Sequence, residues 1–389
     1  MRYGTKAVWI GNEPDHTGAV VPPIYMTSTF RQMDPSISGK YVYTRLGNPT
    51  VERLERKIAS LENGKFAIAT SSGMAAINTV FGLLKPGDEI ITMKTLYVTT
   101  INLLNAYSQH GVKVKFMDLT KGEKLMEEMG KNTKMIYFET PTNPLLRVVD
   151  IEETCKICKE SNEDTLIVVD NTFASPYNQR PLTLGADIVV HSTTKYIGGH
   201  SDIIGGAIIT NNEEIYGKLR SNIIMFGGVP SPFDAWLIIK SLRTFHLRME
   251  RHNYNAMKIA EYLSNNENVE KVYYPGLKTD EGHEIAKKQM KTPYGNEGYG
   301  GMVSFQLKAD MKTLWRFFKS LEIITVAVSL GGVESLIVHP ASMPPYKPLT
   351  KEEREEMGVF DNLIRFSIGI EDVEDLIEDL EGAFKKMKE

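Results

Sequence analysis

The sequence predicts an α/β protein: a mostly parallel sheet covered by helices, followed by a smaller C-terminal α+β unit. Between about residue 45 and residue 238, short strand-like runs alternate with longer helical ones, the pattern of strand-helix-strand crossovers. Runs such as 166–169 are apolar throughout, as strands buried on both faces must be. The 389 residues suffice for two sizeable cores at roughly 100–200 residues per domain.

Residues 1–44 are rich in Pro, Thr, Ser and Tyr and read as an extended arm. Strands are expected at 66–69, 89–93, 112–117, 135–139, 166–170, 188–191 and 206–210, which makes 45–238 the larger domain. A long helical stretch at 236–264 leads into a C-terminal domain, 239–389, with strands near 269–274, 301–307 and 363–368. The acidic end, 371–389, reads as an amphipathic helix.

A formal net charge of −4 with mixed signs offers no basic patch for nucleic acid. No apolar run is long enough for a bilayer, and the first residues lack the apolar core of a signal peptide, so a soluble cytoplasmic protein is expected. The two cysteines, Cys155 and Cys158, form a CxxC inside a helical pattern with no second Cys or His pair to answer it, so no metal site is expected. His191, His200 and His339 show no metal or triad spacing and read as packing or supporting residues. Nucleotide-binding glycine motifs are absent.

Chemistry concentrates at Lys195, within HSTTKYIGGH (191–200), after a strand-like run and before a glycine pair. Lysine is ordinarily a solvated surface charge. Here hydroxyl residues precede it, and a lysine so held can condense with an aldehyde cofactor whose phosphate those hydroxyls bind. That cofactor is pyridoxal 5'-phosphate (PLP). Upstream, LIVVDNT (166–172) reads as a buried strand ending in a carboxylate at the edge where α/β proteins bind ligands. Asp170 suits the PLP ring nitrogen; its other reading is a helix N-cap. AIATSSGMAAI (67–77) turns from strand to helix through Gly73, and helix N-terminal amides beside a glycine make a phosphate site. Tyr97, one strand-helix unit later, could stack on the ring. Arg365 could grip a carboxylate with two parallel hydrogen bonds, its alternative being a surface ion pair with Glu371 or Asp372.

Together with YTRLGNPT (43–50), SGMAA (72–76), ETPTNP (139–144), VDNTF (169–173), STTKY (192–196), SLGGVESL (329–336) and RFSIG (365–369), the chain resembles the cysteine and methionine metabolism family of PLP enzymes over nearly its whole length. This family includes cystathionine γ-synthase, the cystathionine lyases, methionine γ-lyase and the O-acylhomoserine sulfhydrylases. The resemblance implies fold type I of the PLP-dependent transferases, with Lys195 holding the cofactor, Asp170 its ring nitrogen and Tyr97 its ring face. Gly73, Met74, Ser192 and Thr194 would take the phosphate and Asn143 the phenolic oxygen. Tyr43 and Arg45 match a pair that reaches the neighbouring subunit's phosphate, which implies a shared-site dimer and commonly a homotetramer. Arg365 and Ser329 would take the substrate's α-carboxylate.

The expected reaction is γ-elimination from a sulfur amino acid, with Lys195 moving protons at the carbon chain and Tyr97 protonating the departing thiolate. Val328 stands where cystathionine-using members tend to carry Glu and methionine γ-lyases Val, and Val42 and Asn102 leave the distal pocket uncharged. That favours methionine, because a buried unpaired charge costs several kcal/mol. Two departures point the other way: Thr99 replaces the Cys usual in methionine γ-lyases, and HPASMPP (339–345) replaces the usual HPASMTH, its prolines removing amide donors. Cystathionine γ-lyase or γ-synthase is the alternative. An aminotransferase or desulfurase is a further class, the latter lacking a late cysteine. A non-enzymatic PLP-binding regulator would be expected to lose Tyr97 or Arg365.

Overall fold

The computed structural model describes the chain except residues 35, 37, 38, 345, 388 and 389. Pro345 of the expected proline pair and the last two residues of the expected C-terminal helix therefore lie outside the described residues.

The larger sheet contains β1 (Phe66–Thr70), β2 (Glu89–Thr92), β3 (Lys113–Phe116), β4 (Thr133–Glu139), β5 (Leu166–Asp170), β6 (Ile188–His191) and β7 (Gly206–Thr210), in the order β1-β7-β6-β5-β4-β2-β3. All pairings are parallel except those of β7, which runs antiparallel to both β1 and β6. The reversal follows from the connection. Residues 192–205 form no helix that could carry the chain across a face, so the strand returns beside the one it left. Successive side chains alternate between two cores, as the pleat requires: Ile68 and Ile208 pack with Phe81 and Val168 on one face, Ala67, Ile209 and Val189 with Leu54 and Ile238 on the other. Both faces are thus covered, and polar chemistry is left to the strand ends.

A second sheet, β10-β11-β12-β9-β8, comprises β8 (Val269–Tyr273), β9 (Met302–Leu307), β10 (Thr325–Val326), β11 (Leu336–Val338) and β12 (Leu363–Ser367), antiparallel but for β10 with β11. β10 and β11 are too short to show a period of two in the sequence. Ties between the two units are specific: Ser304 Oγ donates to Pro144 O at 2.6 Å, and the Gly301 amide to Tyr196 Oη at 3.2 Å.

Two expectations require correction. The arm is not extended throughout, since α1 (Tyr3–Trp9) lies against α2 (Pro49–Leu61). Its reason is tertiary. Tyr3 and Ala7, one turn apart, are buried, and the fully buried Lys57 of α2 donates to the free C-terminal carbonyl of Ala7 at 2.5 Å. Burial, with Arg243 nearby, pushes the Lys57 pKa down to about 7. The helical stretch at 236–264 is also two helices, Pro232–Leu242 and Phe245–Ser264. The break at Arg243 and Thr244 is held by Arg248, whose Nη2 donates to Ser241 O at 3.1 Å and whose Nη1 donates to Tyr196 O at 2.8 Å.

Cys155 and Cys158 are buried in the helix Ile151–Ser161, and burial raises both thiol pKa values, which leaves them poorly reactive. Among the described residues no helix is long and apolar enough to cross a membrane.

Candidate active site

A cleft of about 510 Å³ opens at the carboxyl ends of β4, β5 and β6 and is closed on its other side by residues around β12. Its floor is set by strand ends. β5 delivers Asp170, whose Oδ1 accepts from the Thr172 amide at 3.0 Å and whose Oδ2 accepts from Tyr137 Oη at 3.2 Å. Asp170 closes a turn on Thr172 and caps no helix, because the next helix, Ser175–Asn178, has Ala174 as its N-cap. Burial raises its pKa, against the lowering effect of Thr172.

The turn after β1 runs into α3 (Gly73–Phe81), capped by Ser72, whose Oγ accepts from the Ala75 amide at 3.1 Å. The first amides of the helix, at Gly73 and Met74, have no partner within it and line the cleft. A Cβ on Gly73 would stand 2.9 Å from the Cβ of Ser192, so only glycine lets the lysine loop come this close. Ser192 also lines the cleft. The Thr194 hydroxyl braces the loop, donating to Gly205 O at 3.2 Å and accepting from the Gly205 amide at 3.0 Å.

Lys195 projects into this space and its Nζ donates to Ser329 Oγ at 2.8 Å. Burial first, and the Arg365 guanidinium second, push its pKa down to about 8. Arg365, buried on β12, donates from Nη1 to Asn143 Oδ1 at 3.2 Å and from Nη2 to Ser329 O at 3.0 Å. The surface pairing considered for it is absent: Glu371 accepts from Ser335, and Asp372 pairs with Arg251 at 3.3 Å. Ser329 holds both basic groups from a left-handed backbone, φ +87°, a conformation costly for a residue with a Cβ.

Tyr97 stands at the start of α4 (Val98–Gln109) on the cleft wall, 46% exposed, with its amide donating to Glu139 Oε1 at 2.7 Å. Val328 lines the mouth and is 57% exposed in the single chain. Tyr43 and Arg45 are not on this cleft. Both are exposed, Arg45 donating to Ile224 O at 2.9 Å. Two ionisable lining residues were not expected. Glu139 ends β4 as Asp170 ends β5, a signal that strand-end logic could have used. Tyr346 is buried on the loop after β11, its phenol pKa pushed up to about 12 by burial, and nothing in its proline-rich surroundings foretells that position. The histidines are bonded into the frame, His191 to the buried Glu62 at 2.9 Å, His200 to Gly198 O at 2.8 Å and His339 to Asp361 O at 2.7 Å.

The family model for Cys/Met metabolism PLP-dependent enzymes matches residues 4–385. The chain belongs to that family. It is 47% identical over 396 aligned residues to an L-methionine gamma-lyase of Fusobacterium nucleatum subsp. polymorphum, covering 99% of this chain and 98% of the relative. It is 46% identical over 384 residues to a cystathionine beta-lyase of Lactococcus lactis subsp. cremoris, covering 98% of each. The solved cystathionine gamma-lyase of Lactobacillus plantarum complexed with L-serine matches with a TM-score of 0.94 at 41% identity, over 100% of both chains. This member of the Cys/Met family is therefore a PLP-dependent α/β enzyme, and its cleft fits the cofactor. A half-buried lysine, a strand-end carboxylate and a glycine cradle at a helix N-terminus supply, in one space, partners for an aldehyde, a pyridine nitrogen and a phosphate.

Proposed function

We propose that this enzyme is a methionine γ-lyase-like carbon-sulfur lyase, converting L-methionine and water to methanethiol, 2-oxobutanoate and ammonia. The observation that carries this reading is the distribution of charge in the cleft. Its acidic and basic lining residues, Glu139, Asp170, Lys195 and Arg365, lie with the cofactor and α-carboxylate partners, and the remaining wall is largely apolar, with Val98, Ile204, Val328, Leu330 and Met343. A methyl thioether suits such a wall. A second zwitterion would be left unpaired there.

On this reading residues 45–238 seat PLP: Lys195 covalently, Asp170 at the ring nitrogen, Tyr97 over the ring, Asn143 at the phenolic oxygen, and Gly73, Met74, Ser192 and Thr194 at the phosphate. The arm, 1–44, reaches a neighbouring subunit of a homotetramer, to whose cofactor Tyr43 and Arg45 contribute. Residues 239–389 supply Arg365, which with Ser329 fixes the α-carboxylate and so aims the Cα–H bond. Bound there, PLP would supply an aldehyde for the substrate amine and an electron sink for the bonds at Cα. Lys195 Nζ, neutral above about pH 8, would take the Cα proton, deliver it to the carbon that had been the cofactor's aldehyde and, neutral again, take a Cβ proton. The Cγ–S bond breaks with its electron pair on sulfur, and Tyr97 gives that sulfur its proton. Water then releases 2-oxobutanoate and ammonia.

Thr99, and relatives named as cystathionine gamma-lyase and cystathionine gamma synthase at 41–43% identity, favour a second reading as a cystathionine γ-lyase or γ-synthase. Product analysis separates them. Methionine giving methanethiol and 2-oxobutanoate supports the first reading. Inertness toward methionine, with cysteine and 2-oxobutanoate formed from cystathionine, or cystathionine formed from O-acylhomoserine and cysteine, replaces it by the second.

A further inference from the structure

One carboxyl group in the cleft has no part in the chemistry above. Glu139 and Asp170 are register partners at the ends of neighbouring parallel strands, and Glu139 is 7% exposed. Two carboxylates this close in a poorly solvated site do not both ionise. The donors decide which one does. Asp170 accepts from the Thr172 amide and from the Tyr137 hydroxyl, one on each oxygen. Glu139 accepts only the Tyr97 amide, on Oε1, and its other oxygen has no donor among the described residues. The other ionisable groups that feel Glu139 are Tyr137 on its own strand and Tyr346 on the loop after β11, and Tyr97 at the start of α4 meets it through its backbone amide; none is a cation that would hold it charged. Burial and Asp170 both raise its pKa.

We propose that Glu139 is a positioning residue for Tyr97, holding the tyrosine's backbone amide with an uncharged carboxyl group and leaving Asp170 as the single anion at this end of the sheet. Tyr97 begins a helix without a side-chain cap, so this hydrogen bond sets where α4 starts and where the phenol stands over the cleft. A charged Glu139 would compete with Asp170 for a cationic ring nitrogen. A neutral one leaves that pairing undivided.

The inference rests on the roles of Tyr97 and Asp170 given under Proposed function, and its test keeps the two apart. Holoenzymes with Glu139→Gln and Glu139→Ala are compared with wild type for kcat and KM on whichever of L-methionine and L-cystathionine is turned over, and for PLP Kd of the apoenzyme between about pH 6 and 9. Glutamine keeps the acceptor oxygen without charge, so it should hold kcat and PLP Kd within about fourfold of wild type. Alanine should lower kcat about tenfold, the worth of one buried hydrogen bond, with KM moving less than about threefold. An alanine variant with wild-type kcat overturns the positioning role. So does a glutamine variant as impaired as alanine. A one-proton step in wild-type PLP affinity that glutamine removes shows an ionised Glu139 and overturns the neutral form. If the alanine variant does not fold, the glutamine arm decides by the same fourfold limit and by its pH profile. Tyr97→Phe retaining full kcat, or Asp170→Asn retaining PLP affinity, sinks the underlying roles with Glu139 intact.

Discussion

Lys195 and Ser329 meet across the cleft at 2.8 Å, amine to hydroxyl, and the carbonyl of the same serine accepts from Arg365 at 3.0 Å. One strained residue thus locates both the lysine and the arginine of the cleft.

Purified protein should be yellow from bound PLP, and Lys195→Ala should lower turnover by about 10²–10⁴-fold or more while leaving the far-ultraviolet circular dichroism spectrum intact. A colourless wild type that gains no activity from added PLP contradicts the role of Lys195.

The Lys195 pKa of about 8 sets a pH limb. Only the neutral amine attacks an aldehyde, so the rate of PLP capture by apoenzyme should rise with pH through about 8 and level off above it. Arg365 lowers this pKa, so Arg365→Leu should move the limb to higher pH as well as raise KM. Stopped-flow absorbance reads the rate; a limb unmoved by the substitution would show that burial alone sets the lysine.

Arg45→Ala should weaken PLP binding although Arg45 is absent from its own chain's cleft. Mixing that variant with Lys195→Ala should restore activity if the sites are shared between two subunits, because one site of such a hybrid keeps both residues. Subunit exchange without recovered activity counts against a shared site.

Val328→Glu should reduce kcat/KM for methionine about ten- to two-hundredfold, on the order of 1–3 kcal/mol, through a carboxylate placed beside the thioether. The ratio of cystathionine to methionine turnover should rise. Competition assays that find the ratio unchanged would show that Val328 does not read the substrate.

Lys57 supplies a stability test remote from the cleft. Its folded pKa of about 7 lies below the unfolded value of about 10.4, so between those pH values the unfolded chain holds a proton that the folded chain has released. The group's contribution to stability therefore rises with pH across that window. The Tm of Lys57→Met relative to wild type should be most favourable to the variant near pH 7 and become less so toward pH 9.5. A constant difference removes the argument.

Strands 166–170, 188–191 and 206–210 were legible to the residue because each is a short apolar run bounded by polar or glycine positions. The helix at 3–9 was not. Seven residues nucleate no helix alone, and this one depends on Lys57 fifty residues away. The break at Arg243 and Thr244 carries neither glycine nor proline, and the side chain that holds it, Arg248, lies a turn beyond. In the site, strand-end logic reached Asp170, the hydroxyl residues before Lys195 and the glycine pair after it reached the lysine, and the family resemblance through RFSIG (365–369) favoured Arg365 as a site residue over a surface ion pair. The partnership of Glu139 with the Tyr97 amide is a contact between residues 42 apart, which no local pattern encodes.

The glycines of the lysine loop also limit where substrate range can diverge. A Cβ on Gly206 would stand 2.4 Å from Ser72 O and would push β7 off the turn before α3, and one on Gly205 would stand 2.4 Å from Thr193 Oγ1 and would press on the lysine loop. Neither glycine lines the cleft itself, but each packs on a residue that does, Gly205 on Thr194 and Gly206 on Ser72, and the wall those residues form is thereby closed to mutational exploration. The opposite wall, built from Val328 and the loop bearing Met343 and Tyr346, is made of side chains that can be exchanged one at a time. Directed evolution toward bulkier thioethers should accumulate its changes there, and recover glycine at 205 and 206 from any library that randomises them.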